Sequence, residues 1–169
     1  EKQKKGLMQK IFSQELRFKD DKGEEFPAWE EKKLGEVTSS QGGKALEKYV
    51  SEEGIYKFIS IGNYSNESRY IDTGSRIVLN SETSKQLLNK DDLVMILNDK
   101  TSAGNIIGRT LLIDKDTMYI FNQRSQRISC YHYVLPKYLY YYINGWLRKD
   151  IIKSAQGATQ IYVNFPIVA

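Results

Sequence analysis

The apolar residues of this chain come mostly in short runs stopped by polar or glycine-containing stretches, and no other feature constrains its fold as much. Gly54-Ile55-Tyr56-Lys57-Phe58-Ile59-Ser60-Ile61-Gly62 is bounded by glycine and rich in β-branched and aromatic residues, so it predicts a strand. Residues 76–79 predict a shorter one. Asp92-Leu93-Val94-Met95-Ile96-Leu97 reads as a continuous apolar strand, and after a polar loop residues 106–113 return with Gly108 inside, which predicts a hairpin. Residues 118–121 and 127–134 flank another polar tip, and residues 160–165 predict a last strand before Pro166. Regular alternation of strands and helices is absent, which argues against a doubly wound sheet.

Two stretches follow helical spacing instead. Leu7, Met8, Ile11, Phe12, Leu16 and Phe18 recur on one face of residues 1–18, while Lys2, Lys4, Lys5, Lys10 and Lys19 leave the other charged. Such a stripe needs a partner. The helix is expected to stop at Lys19-Asp20-Asp21-Lys22-Gly23-Glu24-Glu25, which has nothing apolar to bury. Pro27 then fixes φ and disfavours a helical Phe26, so Phe26 and Trp29 are expected to be apolar pegs on an extended or turn segment. Farther along, Pro136 suits a first helical turn, and Leu139, Ile143, Trp146, Leu147 and Ile151 share one face of a helix running toward Gly157. Tyr138, Tyr140, Tyr141 and Tyr142 would pack it on the sheet. Thr83 and Gln86 have capping-box spacing and predict one or two further helical turns. The expected fold class is α+β: a mainly antiparallel, short-stranded sheet with one long helix near the C-terminus and an N-terminal spacer-helix tail.

A chain of 169 residues suffices for one core, so the expected division is a helical tail and linker over residues 1–22 and one domain over 23–169. No apolar run approaches the roughly 20 residues that span a bilayer, and the start lacks a signal-peptide pattern, so no membrane association and a cytoplasmic location are expected. The lone Cys130 rules out an internal disulfide, and one Cys with one His makes no zinc cluster. The formal charge of +4 is mild. Its distribution is less even: from Phe121 to Asp150, Arg124, Arg127, Lys137, Arg148 and Lys149 stand against the single acid Asp150, so positive potential is expected there.

Catalytic constellations fall short. Strand alternation would put Cys130 and His132 on one face, a possible thiol and base, but no Asn or Asp nearby in sequence would orient the imidazole, and a half-buried structural pair is the simpler reading. Asp91, Asp92, Asp114 and Asp116 sit where strands begin or hairpins turn, positions that favour Asp without any metal. Gly42-Gly43-Lys44 lacks the earlier Gly and the closing Ser or Thr of a phosphate loop, and Gly104 to Gly108 lacks the dinucleotide pattern.

What remains is a set of polar tips: Ser39, Ser40, Gln41 and Lys44; Asn63, Tyr64 and Arg69; Asn98, Lys100 and Thr101; Arg124, Ser125, Gln126 and Arg127. These side chains suit DNA. Arg donates two hydrogen bonds to guanine O6 and N7, Asn and Gln pair with adenine N6 and N7, and Lys, Ser and Thr hold phosphates. Arg124, Gln126, Arg127, Asn98 and Lys100 are expected at the major groove, with Lys44, Lys57, Tyr64 and Arg69 on the backbone.

The order of these pieces resembles a known family. Gly6-Leu7-Met8-Gln9-Lys10-Ile11-Phe12-Ser13-Gln14-Glu15-Leu16-Arg17-Phe18, followed by Phe26-Pro27-Ala28-Trp29-Glu30 and Lys33-Leu34-Gly35-Glu36-Val37, strongly resembles the start of the second target recognition domain in specificity subunits of bacterial type I restriction-modification systems. Lys90-Asp91-Asp92-Leu93-Val94, Ile107-Gly108-Arg109, Phe121-Asn122-Gln123-Arg124 and Gly157-Ala158-Thr159-Gln160 agree with it, so the resemblance covers nearly the whole chain. It implies a non-catalytic domain that reads one half of a bipartite site in double-stranded DNA. Methylation and cleavage would belong to methyltransferase subunits and a restriction/translocase subunit. S-adenosylmethionine, ATP and Mg are then expected on those partners and no cofactor on this chain. The resemblance also implies a helix pairing through Leu7, Met8, Ile11 and Phe12, and a further conserved helix beyond Ala169. The competing reading is a helix-mediated protein-interaction module without direct DNA readout.

Overall fold

The computed structural model describes residues 2–100 and 102–168. Its central element is the continuous apolar run. Leu93–Ile96 (β4) lies between Ser125–Cys130 (β8) and Thr110–Leu112 (β6), antiparallel to both, and Thr38–Gly42 (β1) pairs antiparallel with β8, giving the order β1-β8-β4-β6. Successive strand side chains point to opposite faces, so an all-apolar strand needs a core on each side. Leu93 and Met95 pack with Ile107, Ile128, Leu139, Ile143 and Ile151, whereas Val94 and Ile96 pack with Ile59, Tyr64, Leu88, Leu111 and Phe121. A smaller sheet, Arg76–Ile77 (β3), Tyr56–Ile59 (β2) and Tyr119–Phe121 (β7), closes the second side. Its β2–β7 pairing is parallel, an exception in an otherwise antiparallel α+β fold. Asn98–Asp99 (β5) and Ile161–Tyr162 (β9) form a short ribbon.

The ends of the chain form helices. Lys2–Phe12 is α1, Leu34–Val37 is α2, and Pro136–Tyr142 (α3) continues through a π-helical turn, Ile143–Leu147, into Arg148–Lys153 (α4). Pro136 opens this helix as expected, while Phe165–Val168 (α5) replaces the end of the predicted last strand. The first helix stops earlier than its apolar stripe suggests. Ser13 Oγ donates to the Lys10 carbonyl and Gln14 turns to φ 62°, so the local side-chain bond competes with another helical turn. The segments flanking the predicted polar tip at 122–126, β7 and β8, belong to different sheets.

Sequence spacing also misplaces Trp146. A π turn adds a residue and rotates the rest of the helix, so Leu139, Ile143 and Ile151 face the sheet while Trp146 turns outward toward α1. There Phe12 sits among Tyr138, Tyr142 and Trp146, with ring centroids 5.9, 5.3 and 6.5 Å away. Trp29 meets Tyr138 edge-on at 5.9 Å, whereas Phe26 stays 53% exposed and pegs nothing. The tyrosine cluster is therefore divided. Tyr138 and Tyr142 receive the N-terminal helix, and Tyr140 donates its hydroxyl to the Ser68 carbonyl on the domain side.

The π turn has a polar reason. β6 is an edge strand, and the outward main-chain groups of Thr110 have no strand to pair with. The Asn144 side chain takes both: Thr110 N–H donates to its Oδ1 (3.0 Å), and its Nδ2 donates to the Thr110 carbonyl (2.9 Å) and to Tyr140 O (3.0 Å). Ser68 Oγ donates to the same Oδ1 at 2.7 Å. One amide thus ties the helix to the edge strand and to the loop before β3. Asn144-Gly145, two poor helix formers inside a helical pattern, is the sequence signal for this site. Met8 of α1 lies over Gly145, where a Cβ would stand 2.8 Å from the movable Met8 Cε.

Replacing Asn144 with Ala should destabilise the fold by about 2–4 kcal/mol, because Thr110 is buried and both its outward groups lose their partner; urea unfolding of the variant against the parent measures it. A second expectation concerns alkaline pH. Burial raises the Tyr64 phenol well above its ordinary value of 10.0 and takes Tyr70 up to about 12, so the unfolded chain ionises first. Stability is then full below about pH 10 and falls as pH rises beyond it. The urea midpoint should decline as pH rises from about 10 to about 12, less steeply in Tyr64→Phe.

Candidate nucleic-acid interface

Antiparallel pairing brings three of the four polar tips to one end of the larger sheet. Gly42 at the end of β1 is in register with Gln126, Ile96 at the end of β4 is in register with Ser125, and the loops beyond are fastened through the main chain. Gly43 N–H donates to Ser125 O (2.9 Å), Gln123 N–H to Lys44 O (2.8 Å) and Leu97 N–H to Arg124 O (2.7 Å). Residues near 40–44, 96–100 and 123–127 therefore form one continuous rim. On it Ser40, Lys44, Lys100 and Arg124 are exposed, and Asn98 and Gln126 are half-buried. Thr101 lies outside the described residues.

The glycine pair belongs to this rim, not to a phosphate loop. A Cβ at Gly43 would stand 1.9 Å from the Asn122 carbonyl oxygen, so only glycine permits the contact between the β1 loop and the β7–β8 connection. Glu47 organises the same connection. Asn122 Nδ2 and Gln123 Nε2 donate to its Oε1 at 2.8 and 3.0 Å, and these bonds with the nearby Arg124 charge hold its carboxyl below the usual range.

Several expected contact residues are structural instead. Asn63 is fully buried: Ser60 N–H and Oγ donate to its Oδ1, and its Nδ2 donates to Ile71 O and Thr73 Oγ1. Tyr64 is buried with its hydroxyl on Ser125 Oγ at 3.2 Å, which takes Ser125 inward as well. Turn-forming polar residues and an interior hydrogen-bond network look alike in sequence, and here the second cause wins. Gln41 and Arg127 hold each other across β1 and β8. Arg127 Nη2 donates to Gln41 Oε1 and its Nη1 to Leu87 O, while Gln41 Nε2 donates to Lys85 O.

The two remaining backbone candidates lie elsewhere. Lys57 is ion-paired with Asp72 at 3.1 Å, its ammonium 5.5 and 5.7 Å from the Tyr70 and Tyr119 rings, in a cleft of about 460 Å³ that Arg69 also lines. That cleft opens beside Leu111 to Asp114, toward the other end of β4 from the rim.

Charge along the last helix is also redistributed. Arg148 is half-buried and donates to Ile107 O, Gly104 O and Asn105 O at 3.0, 2.7 and 3.0 Å; burial and the neighbouring Arg109 bring its pKa down to about 10. It clasps the loop before β6. On α1, Met8 and Phe12 are engaged by the chain's own π turn and aromatic rings, while Leu7 is 49% exposed and Ile11 half-buried. Two of the four residues expected to meet another helix are thus used internally.

The thiol chemistry fares no better. Burial, with Asp92 and Asp91 adding, pushes the Cys130 thiol up to about 11, away from the thiolate that attacks. His132 lies beyond the end of β8 in an exposed turn, so the strand-face geometry that would have joined the two is absent. The aspartates serve turns: Asp92 accepts from Asn89 N–H and Ser129 Oγ, Asp116 from Lys90 N–H and Asp114 from the Tyr119 hydroxyl. Among the described residues no three His, Cys, Asp or Glu side chains gather as a metal site, and no helix is long and apolar enough to cross a membrane.

Known proteins share this architecture. The S subunit of a type I restriction-modification system from M. genitalium superposes with a TM-score of 0.61 at 15% identity, over 90% of this chain and 34% of that one. The HsdS subunit from Thermoanaerobacter tengcongensis gives a TM-score of 0.61 at 12% identity, over 98% and 40%. In sequence, the type I restriction enzyme MjaVIII specificity subunit of Methanocaldococcus jannaschii is 28% identical over 99% of this chain, which spans 41% of that protein's length. Residues 28–169 match the type I restriction modification DNA specificity domain, and the chain belongs to that family.

Proposed function

We propose that this chain is a target recognition domain reading one half of a bipartite site in double-stranded DNA for a type I restriction-modification complex. The observation that carries the reading is the convergence of three polar tips on one rim, where Ser40, Lys44, Lys100 and Arg124 are exposed on a main chain fixed by strand pairing. Exposed cations and amides on a rigid edge are what phosphate positioning and base readout require. In this reading Lys44 and Lys100 hold phosphates, Gln126 and Asn98 stand next to the base edges, and the structural residues Asn63, Tyr64, Ser125, Gln41 and Arg127 keep the rim in shape. Methylation and cleavage would reside in methyltransferase and restriction/translocase subunits, which would also carry S-adenosylmethionine, ATP and Mg. The exposed Leu7 on α1 is left for a neighbouring helix in the assembly.

Replacing Lys44 with Ala in the full-length protein, assembled with its partners, should weaken duplex DNA binding for all sequences alike and reduce the slope of log K against log salt by about one. Binding titrations from about 50 to 200 mM salt measure this. A slope unchanged in both Lys44→Ala and Lys100→Ala would favour a module that meets protein through α1. The Cys130→Ser, His132→Ala double variant should bind DNA and support methylation as the parent does.

A further inference from the structure

Arg124 combines an exposed charge on the rim with a left-handed backbone. Its side chain is exposed, and among the described residues it makes no ion pair. Its backbone stands at φ 66°, the left-handed region that suits glycine and tolerates Asn or Asp, but strains a long side chain. The turn has no freedom to relax. The Arg124 carbonyl accepts from Leu97 N–H at the end of β4, and the preceding Gln123 N–H donates to Lys44 O in the β1 loop. Two strand ends thus impose the left-handed conformation on whatever residue stands there. For folding alone, glycine would serve better.

Strain kept at a position whose exposed side chain makes no ion pair among the described residues points to use of that side chain outside the fold. We propose that Arg124 is a specificity-determining residue, held against its backbone preference so that its guanidinium reads one guanine in the major groove. This inference rests on the DNA-reading function proposed above. A planar fork of donors matches guanine O6 and N7 together, which a lysine ammonium does not. Glu47 feels the Arg124 charge without pairing with it, which leaves the fork available.

The test uses the full-length protein with its partner subunits, Arg124→Gly and Arg124→Lys variants, and a duplex library randomised over the half-site. Arg124→Gly should raise the Tm of the full-length protein, because relief of left-handed strain stabilises the fold. It should also flatten the preference at one base pair, with the other positions unchanged. Arg124→Lys should keep overall affinity within about threefold yet lose that same preference. If the parent binds with sequence preference and Arg124→Gly leaves every position unchanged, this inference alone is overturned. A fall in Tm in Arg124→Gly also overturns it, because the side chain then supports the fold. If the parent shows no binding to duplex DNA, the function proposed above fails and this inference with it.

Discussion

Thr110 has an N–H and a carbonyl on the open side of an edge strand, and satisfying them governs how the helical half of the molecule meets the sheet. A neighbouring strand would do so at the cost of extending the sheet. Here the amide of Asn144 supplies one donor and one acceptor in the space of a single residue, while the same amide accepts from Ser68. Placing it there requires a π turn, and the π turn decides which side chains of the long helix face inward. Trp146 consequently faces α1, where Phe12 enters the aromatic cage. Arg148, one turn on, seals the loop before β6 through three carbonyls. Edge protection, helix register and docking of the N-terminal helix are one problem with one solution.

The sheet side obeys a simpler rule. β4 is buried on both faces, and alternation distributes its four residues between two cores. Everything that pairs with β4 is thereby fixed in register, since a slip of one residue would exchange the two cores' contents. The rim inherits this rigidity: Gly42, Ile96 and Ser125 are strand-end positions whose placement depends on β4.

The parts of this architecture that depend on chain-local chemistry are legible in the sequence. The apolar run of β4, Pro136 at the head of the long helix and the polar character of three tips all come from residue type and spacing. What sequence does not show is which polar residue meets which. Asn63 and Tyr64 read as a surface tip because Asn, Ser and Tyr suit turns, yet their partners, Ile71, Thr73 and Ser125, take them inside. Arg127 and Arg148 read as surface charge because arginine is usually solvated, yet carbonyl groups and Gln41 hold them half-buried. Trp146 falls on the wrong face because a period of 3.6 residues cannot register a π turn. For the candidate site the outcome is mixed in the same way: the tips around Lys44, Asn98 and Arg124 are recognisable, and their meeting on a single rim comes only with the pairing of β1, β8 and β4.

The rim's connections run from peptide group to peptide group. Gly43 to Ser125, Gln123 to Lys44 and Leu97 to Arg124 are bonds that no side chain contributes to. Residues 40, 44 and 100 can therefore be exchanged by mutation while the loops keep their paths. Under the DNA-reading role proposed above, a change of target would need only surface substitutions on an unchanged backbone.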